Sequence, residues 1–284
     1  MAVLSVQSHV AYGRVGNTAA TFLLQRLGLE VWPVMTVQLS NHTGYETARG
    51  QAFPAEHIRE VLRGIAERGI FPDCRAVLSG YLGEPAVGEA VLEALEAVRA
   101  VNPDALYCCD PVMGDRDRGF YVREGVSDFF RERALPAADI LTPNLFELEQ
   151  LSGRRIGSLE ETLAAARALL ALGPGIVLVT SLKPESDDDE IGLLAVTAKD
   201  SYSVTTPRLL LDPAPNGAGD CLAALFLGFL LRGCRIKHAL ANAAAAIFAI
   251  LNETAAAESR ELQLVAAQDL ILRPPQSFKV RKVG

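Results

Sequence analysis

The sequence predicts an α/β fold with a mostly parallel central sheet, helices on both of its faces and an antiparallel edge. Short apolar segments of strand character alternate with segments of helical spacing along almost the whole chain. Repeated β-then-α units of this kind form a parallel sheet that helices cover on both sides. The uninterrupted β-branched run at residues 176–179 is typical of a strand buried on both faces. Two later strands, at residues 191–196 and 202–206, predict the antiparallel edge.

The predicted strands are short, and several end at a glycine or a polar residue. They cover residues 3–7, 30–39, 76–79, 105–109, 139–141, 176–179, 191–196 and 202–206.

The predicted helices repeat apolar residues at helical spacing, as Ala20, Leu23, Leu24 and Leu27 do before Gly28 ends the first of them. They cover residues 17–27, 55–68, 86–100, 126–133, 145–151, 159–172, 220–232, 237–252 and 262–272.

The chain of 284 residues is predicted to form a single domain over residues 1–284. It contains no internal repeat and no linker rich in Pro, Gly or Ser, and α/β domains reach this size as one unit. The only low-complexity segment is acidic, at residues 185–190, and is most simply a solvated loop.

The composition disfavours nucleic-acid and membrane partners. The formal net charge is −7, and no block of Lys and Arg offers a surface for a polyanion. The most apolar stretches, residues 221–231 and 243–251, are shorter than the ~18 apolar residues of a membrane span, so we expect buried helices there.

The cysteines and the N-terminus favour a cytoplasmic protein. The five cysteines are odd in number and form no Cys-x-x-Cys, and the four histidines are scattered, so neither a disulfide framework nor a zinc site is indicated. The first residues have no basic segment followed by a signal-peptide core.

Carboxylates and hydroxyls follow several of the predicted strands. Asp110 and Asp115 follow the strand at 105–109, Thr142, Asn144 and Glu147 follow that at 139–141, and Thr180-Ser181 follows that at 176–179. Ligands of such sheets bind beyond the carboxyl ends of the strands. Hard oxygen ligands at that edge suit Mg²⁺ bound together with phosphates.

The strongest single motif is the turn Gly217-Ala218-Gly219-Asp220, which leads directly into an apolar helix. Amides at the start of a helix bind anions, and a carboxylate there could take a proton from an attacking hydroxyl. Taken alone, the pattern is more typical of an ordinary turn in which Asp caps a helix.

Two other phosphate-binding motifs are absent from the sequence. There is no Gly-x-x-x-x-Gly-Lys-Ser/Thr loop, and residues 12–17 do not have the form Gly-x-Gly-x-x-Gly. P-loop nucleotidases and dinucleotide-dependent oxidoreductases are therefore disfavoured.

A set of motifs, in order along the chain, gives the sequence a more specific resemblance. These motifs are Ser5-Val6-Gln7-Ser8-His9-Val10, Ser40-Asn41-His42-Thr43-Gly44-Tyr45, Leu78-Ser79-Gly80-Tyr81, Cys109-Asp110-Pro111-Val112-Met113-Gly114-Asp115, Thr142-Pro143-Asn144-Leu145-Phe146-Glu147 and Gly217-Ala218-Gly219-Asp220. Together they resemble the pyridoxal kinases of the ribokinase-like superfamily. The resemblance spans residues 3–220 and implies a ribokinase-like three-layer α/β/α fold.

The resemblance implies roles on the side of the alcohol acceptor. Ser8, Thr43, Gly44 and Tyr81 would lie against the pyridine ring. Asp220 would be the general base on the 5′-hydroxymethyl group, and Gly217, Ala218 and Gly219 would form the anion hole.

It also implies roles on the side of the nucleotide. Asp110, Asp115 and Glu147 would organise Mg²⁺, and with it a monovalent cation such as K⁺, around ATP. The other residues that would contact ATP are Thr142, Asn144, Thr180, Ser181, Thr205, Thr206, Pro207, Arg208 and the lid residue Tyr121. Each also has an ordinary structural interpretation, as a turn, cap or packing residue, and only their ordered combination favours the functional one.

One position and one segment depart from the pattern of the family. Leu39 stands where many members have an aromatic residue, and leucine lacks the quadrupole of an aromatic ring. Residues 211–215, just before the glycine turn, match no pattern of the family.

The sequence therefore predicts ATP-dependent phosphorylation of pyridoxal to pyridoxal 5′-phosphate, by direct in-line transfer and in a homodimer. A related kinase that acts on hydroxymethylpyrimidine, pyridoxine or pyridoxamine is an open alternative. So is a vitamer-binding protein without turnover, against which the presence of Asp220 and Glu147 argues.

Overall fold

The computed structural model describes residues 1–182 and 189–284. Its strands are β1 (Ala2–Val10), β2 (Glu30–Leu39), β3 (Gly50–Ala52), β4 (Cys74–Ser79), β5 (Leu106–Cys109), β6 (Gly114–Asp115), β7 (Gly119–Phe120), β8 (Ile140–Leu141), β9 (Ile176–Leu182), β10 (Glu190–Val196), β11 (Ser201–Pro207) and β12 (Arg281–Lys282). Most of the acidic segment 185–190 lies outside the described residues.

The helices match the predicted ones closely over most of the chain. They are α1 (Asn17–Arg26), α2 (Ala55–Ala66), α3 (Pro85–Val101), α4 (Val126–Phe129), α5 (Leu135–Ala137), α6 (Leu145–Ser152), α7 (Leu159–Leu170), α8 (Ala218–Leu231), α9 (Ile236–Ala256) and α10 (Gln268–Leu272). A π-helical segment, Phe130–Ala134, joins α4 to α5 just before Pro136, whose nitrogen has no hydrogen to donate.

Among the described residues, ten strands form the main sheet, in the order β12-β11-β10-β9-β8-β5-β4-β1-β2-β3. The six strands from β9 to β2 are parallel to one another. Strands β10, β11 and β12 add an antiparallel edge on one side, as predicted, and β3 adds another on the opposite side. The mostly parallel α/β prediction is thus confirmed.

Two hydrophobic layers, one on each face of the sheet, hold the helices in place. Along β1, Val3 belongs to the layer of α1, α8 and α9, whereas Leu4 and Val6 belong to the layer of α2, α3 and α7. This alternation follows from the period of two in a strand. Both faces of the central strands are therefore apolar, and polar side chains collect at the strand ends.

One predicted helix is shorter in the structure, and four short strands were not predicted. The helix expected at 262–272 is formed only at Gln268–Leu272, and the residues before it form turns, with the Gln263 amide bonded to the Thr254 hydroxyl at 3.0 Å. Strands β3, β6, β7 and β12 were not predicted, since two or three residues show no periodicity.

Helix α9 has 21 residues and is long and apolar enough to cross a membrane by length and composition. The prediction that this stretch is too short for a span therefore does not hold for the whole helix. In the fold, 61% of its most apolar window is buried, as in the core helix of a globular domain.

Candidate active site

The predicted site residues meet at one edge of the sheet, where the parallel strands end. Thr180 lies near the end of β9, Thr142 follows β8, Asp110 follows β5 and Tyr81 lies just beyond β4. Ser8 lies near the end of β1, and the loop after β2 carries Thr43 and Gly44. Predicted acceptor contacts therefore occupy β2, β1 and β4, and predicted nucleotide contacts occupy β5, β8 and β9.

A β-bulge in β2 lies opposite Ser8, where the two residues Thr36 and Val37 face this one residue of β1. Gln7 is paired with Met35 and His9 with Gln38, so the register shifts by one residue at Ser8. A bulge of this kind re-aims a side chain near a site. Asn17 joins β1 to β2 next to the bulge, because its side-chain amide donates to the carbonyls of Ser5, Gln7 and Val34 at 3.2, 3.3 and 2.8 Å.

The loop after β2 is held in part by a hydrogen bond within the loop. The Gly44 amide donates to Nδ1 of His42 at 3.0 Å, which gives this histidine a role in the turn. Thr43 and Gly44 are both exposed at the surface of the loop. Tyr81, half-buried, follows β4, and its carbonyl accepts a hydrogen bond from the Thr36 hydroxyl at 2.7 Å.

Asp110 and Thr142 form the centre of the strand edge. Asp110 is only 5% exposed and Thr142 only 3%, and the Thr142 hydroxyl donates to Oδ1 of Asp110 at 2.9 Å. Burial, together with the nearby charges of Glu147 and Asp220, raises the pKa of Asp110 well above its ordinary value, and the Thr142 bond opposes that rise.

Glu147 and Asn144 form a capping box at the start of α6. The Asn144 side chain accepts from the Glu147 amide at 2.9 Å, and Oε2 of Glu147 accepts from the Asn144 amide at 2.9 Å. Oε1 of Glu147 accepts from the Met113 amide at 2.9 Å. Burial raises the pKa of Glu147 to about 8 even though these backbone bonds favour the ionised form.

The segment after Asp110 folds into a hairpin above the carboxylates. Strands β6 and β7 pair through Gly114 and Phe120, and the Asn144 side chain donates to the Gly114 carbonyl at 2.8 Å. Tyr121 follows β7, and its amide donates to the Met113 carbonyl at 3.1 Å. Burial, and then the charge of Glu147, raises the pKa of the Tyr121 hydroxyl, so this side chain lies near the acidic centre.

The remaining predicted nucleotide contacts lie farther along the same edge. Thr180 is buried and belongs to β9, and the exposed Ser181 has a left-handed backbone with φ 60°. Both residues lie within the strand, which is longer than predicted. Strand β11 runs parallel to β9, since β10 is antiparallel to both, and it ends at the same edge with Thr205, Thr206, Pro207 and then Arg208.

Helix α8 begins at the glycine turn, which lies against the loop between β1 and α1. Gly217 is its N-cap with φ 95°, and Cys221 donates the first helical hydrogen bond, to the Gly217 carbonyl at 2.9 Å. The amides of Ala218, Gly219 and Asp220 precede that bond and form the amino end of the helix dipole. A Cβ on Gly217 would lie 2.0 Å from the Arg14 carbonyl oxygen, so only glycine fits there.

Asp220, half-buried in the first turn of α8, completes the site. Burial raises the pKa of its carboxyl group to about 6, and a hydrogen bond from the Gly16 amide limits the rise. The charges of Asp220 and Glu147 both act on Asp110, so the structure brings these three predicted carboxylates together. A base with a pKa near neutrality is suited to accept a proton from an alcohol.

The carboxyl groups of the acidic centre have no cationic partner among the described side chains. Among the described residues, no Lys or Arg forms an ion pair with Asp110, Glu147 or Asp220. Buried carboxylates in this state favour a bound cation. This donor set fits Mg²⁺, which takes one or two carboxylates together with waters and phosphates.

The sequence predicts that Asp110, Asp115 and Glu147 organise the cations around ATP, and their side chains differ in the hydrogen bonds that they already accept. The described residues contain no group of three acidic, His or Cys side chains with the spacing to hold a metal. Both oxygens of Glu147 accept backbone hydrogen bonds, and Oδ1 of Asp115 accepts from the amides of Asp117 and Arg118 at 3.0 and 2.7 Å. Asp110 is the member of the set best placed to contact a cation.

Sequence reasoning did not find Glu261 and Arg260, which contact the loop after β2. Tyr45 donates its hydroxyl hydrogen to Oε1 of Glu261 at 2.6 Å, across 216 positions of the chain. No local pattern in the sequence could have indicated a contact between residues so far apart.

Comparison with known proteins identifies the family of the chain. The family model described as phosphomethylpyrimidine kinase matches residues 24–263. Pyridoxal kinase PdxY of Rubrobacter xylanophilus is 54% identical over 99% of this chain and 97% of its own length. The chain belongs to the pyridoxal kinase family.

Other members of the family support this membership. Pyridoxal kinase PdxY of Granulibacter bethesdensis is 48% identical over 98% of each chain. The solved structure of pyridoxal kinase from Leishmania donovani, in complex with ADP and pyridoxamine, is 29% identical, with a TM-score of 0.93 over 100% of this chain and 99% of that one. These matches confirm the predicted family and its ribokinase-like fold.

Proposed function

We propose that this protein is an ATP-dependent kinase that phosphorylates the 5′-hydroxymethyl group of pyridoxal to give pyridoxal 5′-phosphate. The observation that carries the proposal is the position of Asp220. Its carboxylate lies in the first turn of α8, with a pKa raised to about 6, between the acceptor half and the nucleotide half of the strand edge. The relatives named pyridoxal kinase, over nearly the full length of the chain, support the choice of acceptor.

In the proposed reaction, Asp220 accepts the proton of the 5′-hydroxyl as the alcohol oxygen attacks the γ-phosphorus of ATP. The bond from that phosphorus to the bridging oxygen breaks, and ADP leaves. The amides at Gly217, Ala218 and Gly219 stabilise the charge that develops on the phosphoryl oxygens. No phosphoenzyme forms, because acceptor and nucleotide occupy adjacent halves of one edge.

The acceptor half would bind the ring of the vitamer. Ser8, Thr43 and Tyr81 supply hydroxyl groups, and the small Gly44 leaves room beside the ring. Leu39 offers apolar contact without an aromatic face, so we expect ring affinity to rest on the hydroxyl groups more than on stacking.

The nucleotide half would bind ATP and its cations. Asp110 would contact Mg²⁺, which when bound neutralises charge on the phosphates, while Glu147 would act through water because both of its oxygens already accept amide hydrogens. Asp115 would face the same cations with its Oδ2, since only its Oδ1 accepts amide hydrogens. Thr142, Asn144, Thr180 and Ser181 would face the phosphates, residues 205–208 the adenosine, and Tyr121 would belong to a lid. K⁺ would be a second cation at this half.

The test is ADP formation with a panel of acceptors: pyridoxal, pyridoxine, pyridoxamine and hydroxymethylpyrimidine. We expect pyridoxal-dependent ADP release and a product with the mass and ³¹P spectrum of pyridoxal 5′-phosphate. A higher kcat/KM for hydroxymethylpyrimidine would instead favour the pyrimidine kinase alternative. Binding of pyridoxal without ADP release would identify a vitamer-binding protein.

We also propose a homodimer in the cytoplasm as the working state of the enzyme. Members of this family provide the expectation, and the mass in solution tests it. Sedimentation equilibrium should give about twice the chain mass of 30.4 kDa. A mass equal to that of one chain contradicts the proposal.

A further inference from the structure

The carboxylate of Glu261 joins two loops on the acceptor side of the site. It is only 8% exposed. Its Oε1 accepts the hydrogen bond from the Tyr45 hydroxyl at 2.6 Å, and its Oε2 accepts one from the Arg14 amide at 3.3 Å. Tyr45 belongs to the loop after β2, and Arg14 to the loop between β1 and α1. One buried side chain thus bridges both.

The segment that carries Glu261 is itself fixed to α9. The Ser259 hydroxyl donates to the Glu261 carbonyl at 2.8 Å and accepts from the Glu261 amide at 3.0 Å. Thr254, fully buried on α9, accepts from the Gln263 amide at 3.0 Å. The carboxylate therefore projects from a rigid support and not from a free loop.

Arg260 adds a second contact to the same loop. Its guanidinium carbon lies 3.8 Å from the centre of the Tyr45 ring, which is within the range of a cation–π interaction. It also donates a hydrogen bond to the Gly44 carbonyl. Arg260 and Glu261 thus hold Gly44 and Tyr45, which follow the predicted ring contact Thr43.

The loop of residues 13–17 continues this connection to the catalytic turn. A Cβ on Gly13 would lie 2.5 Å from Oε2 of Glu261, so the backbone there is pressed against the carboxylate. The Arg14 carbonyl lies against Gly217, and the Gly16 amide donates to Asp220. Both ends of the short loop 13–17 are therefore held, one by Glu261 and the other by the turn of α8.

We propose that Glu261 is a positioning residue. Through Tyr45 it fixes the loop after β2, and through residues 13–17 it fixes the base Asp220, so that the bound alcohol and the base are aligned. The proposal rests on the proposed function, because it assigns the acceptor to this side of the site. Glu261 contacts neither substrate nor phosphate in this scheme. It acts by fixing the distance between the bound alcohol and the carboxylate that takes its proton.

The kinetic test separates the two arms of Glu261. Tyr45→Phe removes only the bond to the loop, so we expect KM for pyridoxal to rise about tenfold with kcat within about twofold of wild type. Glu261→Gln cannot accept both bonds, so we expect KM for pyridoxal to rise and kcat to fall about tenfold. KM for ATP should stay unchanged in both variants, which a general loss of folding would not produce.

Two further variants complete the kinetic test. Glu96→Gln is the matched control, since Glu96 is exposed on α3, and it should behave as wild type. In the double variant with Tyr45→Phe and Glu261→Gln, the rise in KM should be smaller than the product of the single rises, because both act through one contact. Wild-type kcat and KM for pyridoxal in Glu261→Gln would overturn the proposal.

Limited proteolysis tests the same contact without catalysis. Arg49 is an exposed trypsin site at the end of the loop after β2. We expect cleavage after Arg49 to be faster in Tyr45→Phe and Glu261→Gln than in wild type and Glu96→Gln. Equal cleavage rates in all four proteins would overturn the positioning role. A wild-type protein that phosphorylates no vitamer would instead contradict the proposed function. The cleavage rates would still test whether Glu261 holds the loop after β2.

Discussion

The Thr142 hydroxyl donates a hydrogen bond to Oδ1 of Asp110 at 2.9 Å, and both side chains are buried at the ends of neighbouring strands. This bond favours the ionised form of a carboxyl group whose pKa burial raises. It therefore keeps Asp110 available to a cation in the nucleotide half of the site.

We predict that Thr142→Val weakens nucleotide binding. Loss of a hydrogen bond to a charged group should lower the free energy of unfolding by about 2 kcal/mol. Protonated Asp110 binds a cation poorly, so KM for Mg-ATP should rise about fivefold near neutral pH, and less at alkaline pH. Thr162→Val is the matched control, because Thr162 is equally buried but bonds the Ser158 carbonyl in α7. An unchanged KM for Mg-ATP in Thr142→Val would contradict this role.

Asp220→Asn tests the general base. Asparagine keeps the size of the side chain and can still accept from the Gly16 amide, but it cannot accept a proton. We expect kcat to fall by about a hundredfold or more, with KM for pyridoxal nearly unchanged. A fall of less than about tenfold, which is about 1.4 kcal/mol of barrier, would show that another group removes the proton.

The pH profile should report the same carboxylate. Because the pKa of Asp220 is raised to about 6, its carboxyl group is ionised above that pH and becomes protonated below it. Only the ionised form accepts a proton, so kcat/KM should be level above about pH 7 and fall below about pH 6. The fall in kcat/KM below about pH 6 should occur with pyridoxine as well as with pyridoxal, although the rings of these two substrates ionise differently. Its persistence in Asp220→Asn would assign it to another group.

A pair of glycine substitutions tests the turn at the start of α8. Gly217→Ala meets both a left-handed backbone and the Arg14 carbonyl, so it should lower the free energy of unfolding by about 2 kcal/mol or more. At Gly219 a Cβ has no neighbour within 4 Å, so Gly219→Ala should leave the free energy of unfolding unchanged or raise it by about 0.5 kcal/mol. Urea denaturation of both variants measures the difference. Equal losses would contradict the close fit at Gly217.

Glu147→Ala should destabilise the fold in a pH-dependent way. It leaves the buried amide of Met113 and the partly buried amide of Asn144 without their acceptor, at a cost of about 2 kcal/mol. The folded pKa of Glu147, about 8, is above its unfolded value, so this side chain contributes most below the unfolded pKa and progressively less as the pH rises through 8.

The measurement for Glu147→Ala is urea denaturation at acidic and at alkaline pH. The loss of stability should be larger at about pH 5 than at about pH 8.5. Glu160→Ala, at an exposed position in the first turn of α7, should change stability by less than about 0.5 kcal/mol at either pH. A loss that grows with pH would contradict the raised pKa.

Much of the fold could be predicted from the sequence because its signals are local. Periodicities of two and of 3.6 residues identify the long strands and helices, and the alternation of the two implies the parallel sheet. Strands β3, β6, β7 and β12 are too short to show a period, and they form only because a partner strand is already in place. The segment before α10, which was predicted to be helical, is bonded to Thr254 on α9, and no local pattern in the sequence indicates that contact.

The site was predictable to a similar extent and for a similar reason. Strand ends and the glycine turn are local features, and Asn144 and Glu147 have the spacing of a capping box. The hydrogen bond from the Met113 amide to Glu147 is not local, since Met113 lies 34 positions away, and no pattern in the sequence indicates it. The contacts of Glu261 join the ends of the chain and have no signature in the sequence.

The order of the strands at the site edge separates the proposed contacts to the alcohol acceptor from the proposed contacts to ATP. The proposed acceptor contacts follow β1, β2 and β4, all within the first 81 residues, whereas those for ATP follow β5 and later strands. The base arrives separately, on α8. Redesign for a different alcohol can therefore be confined to the first third of the chain, with the nucleotide half and Asp220 left as a reusable phosphate donor unit.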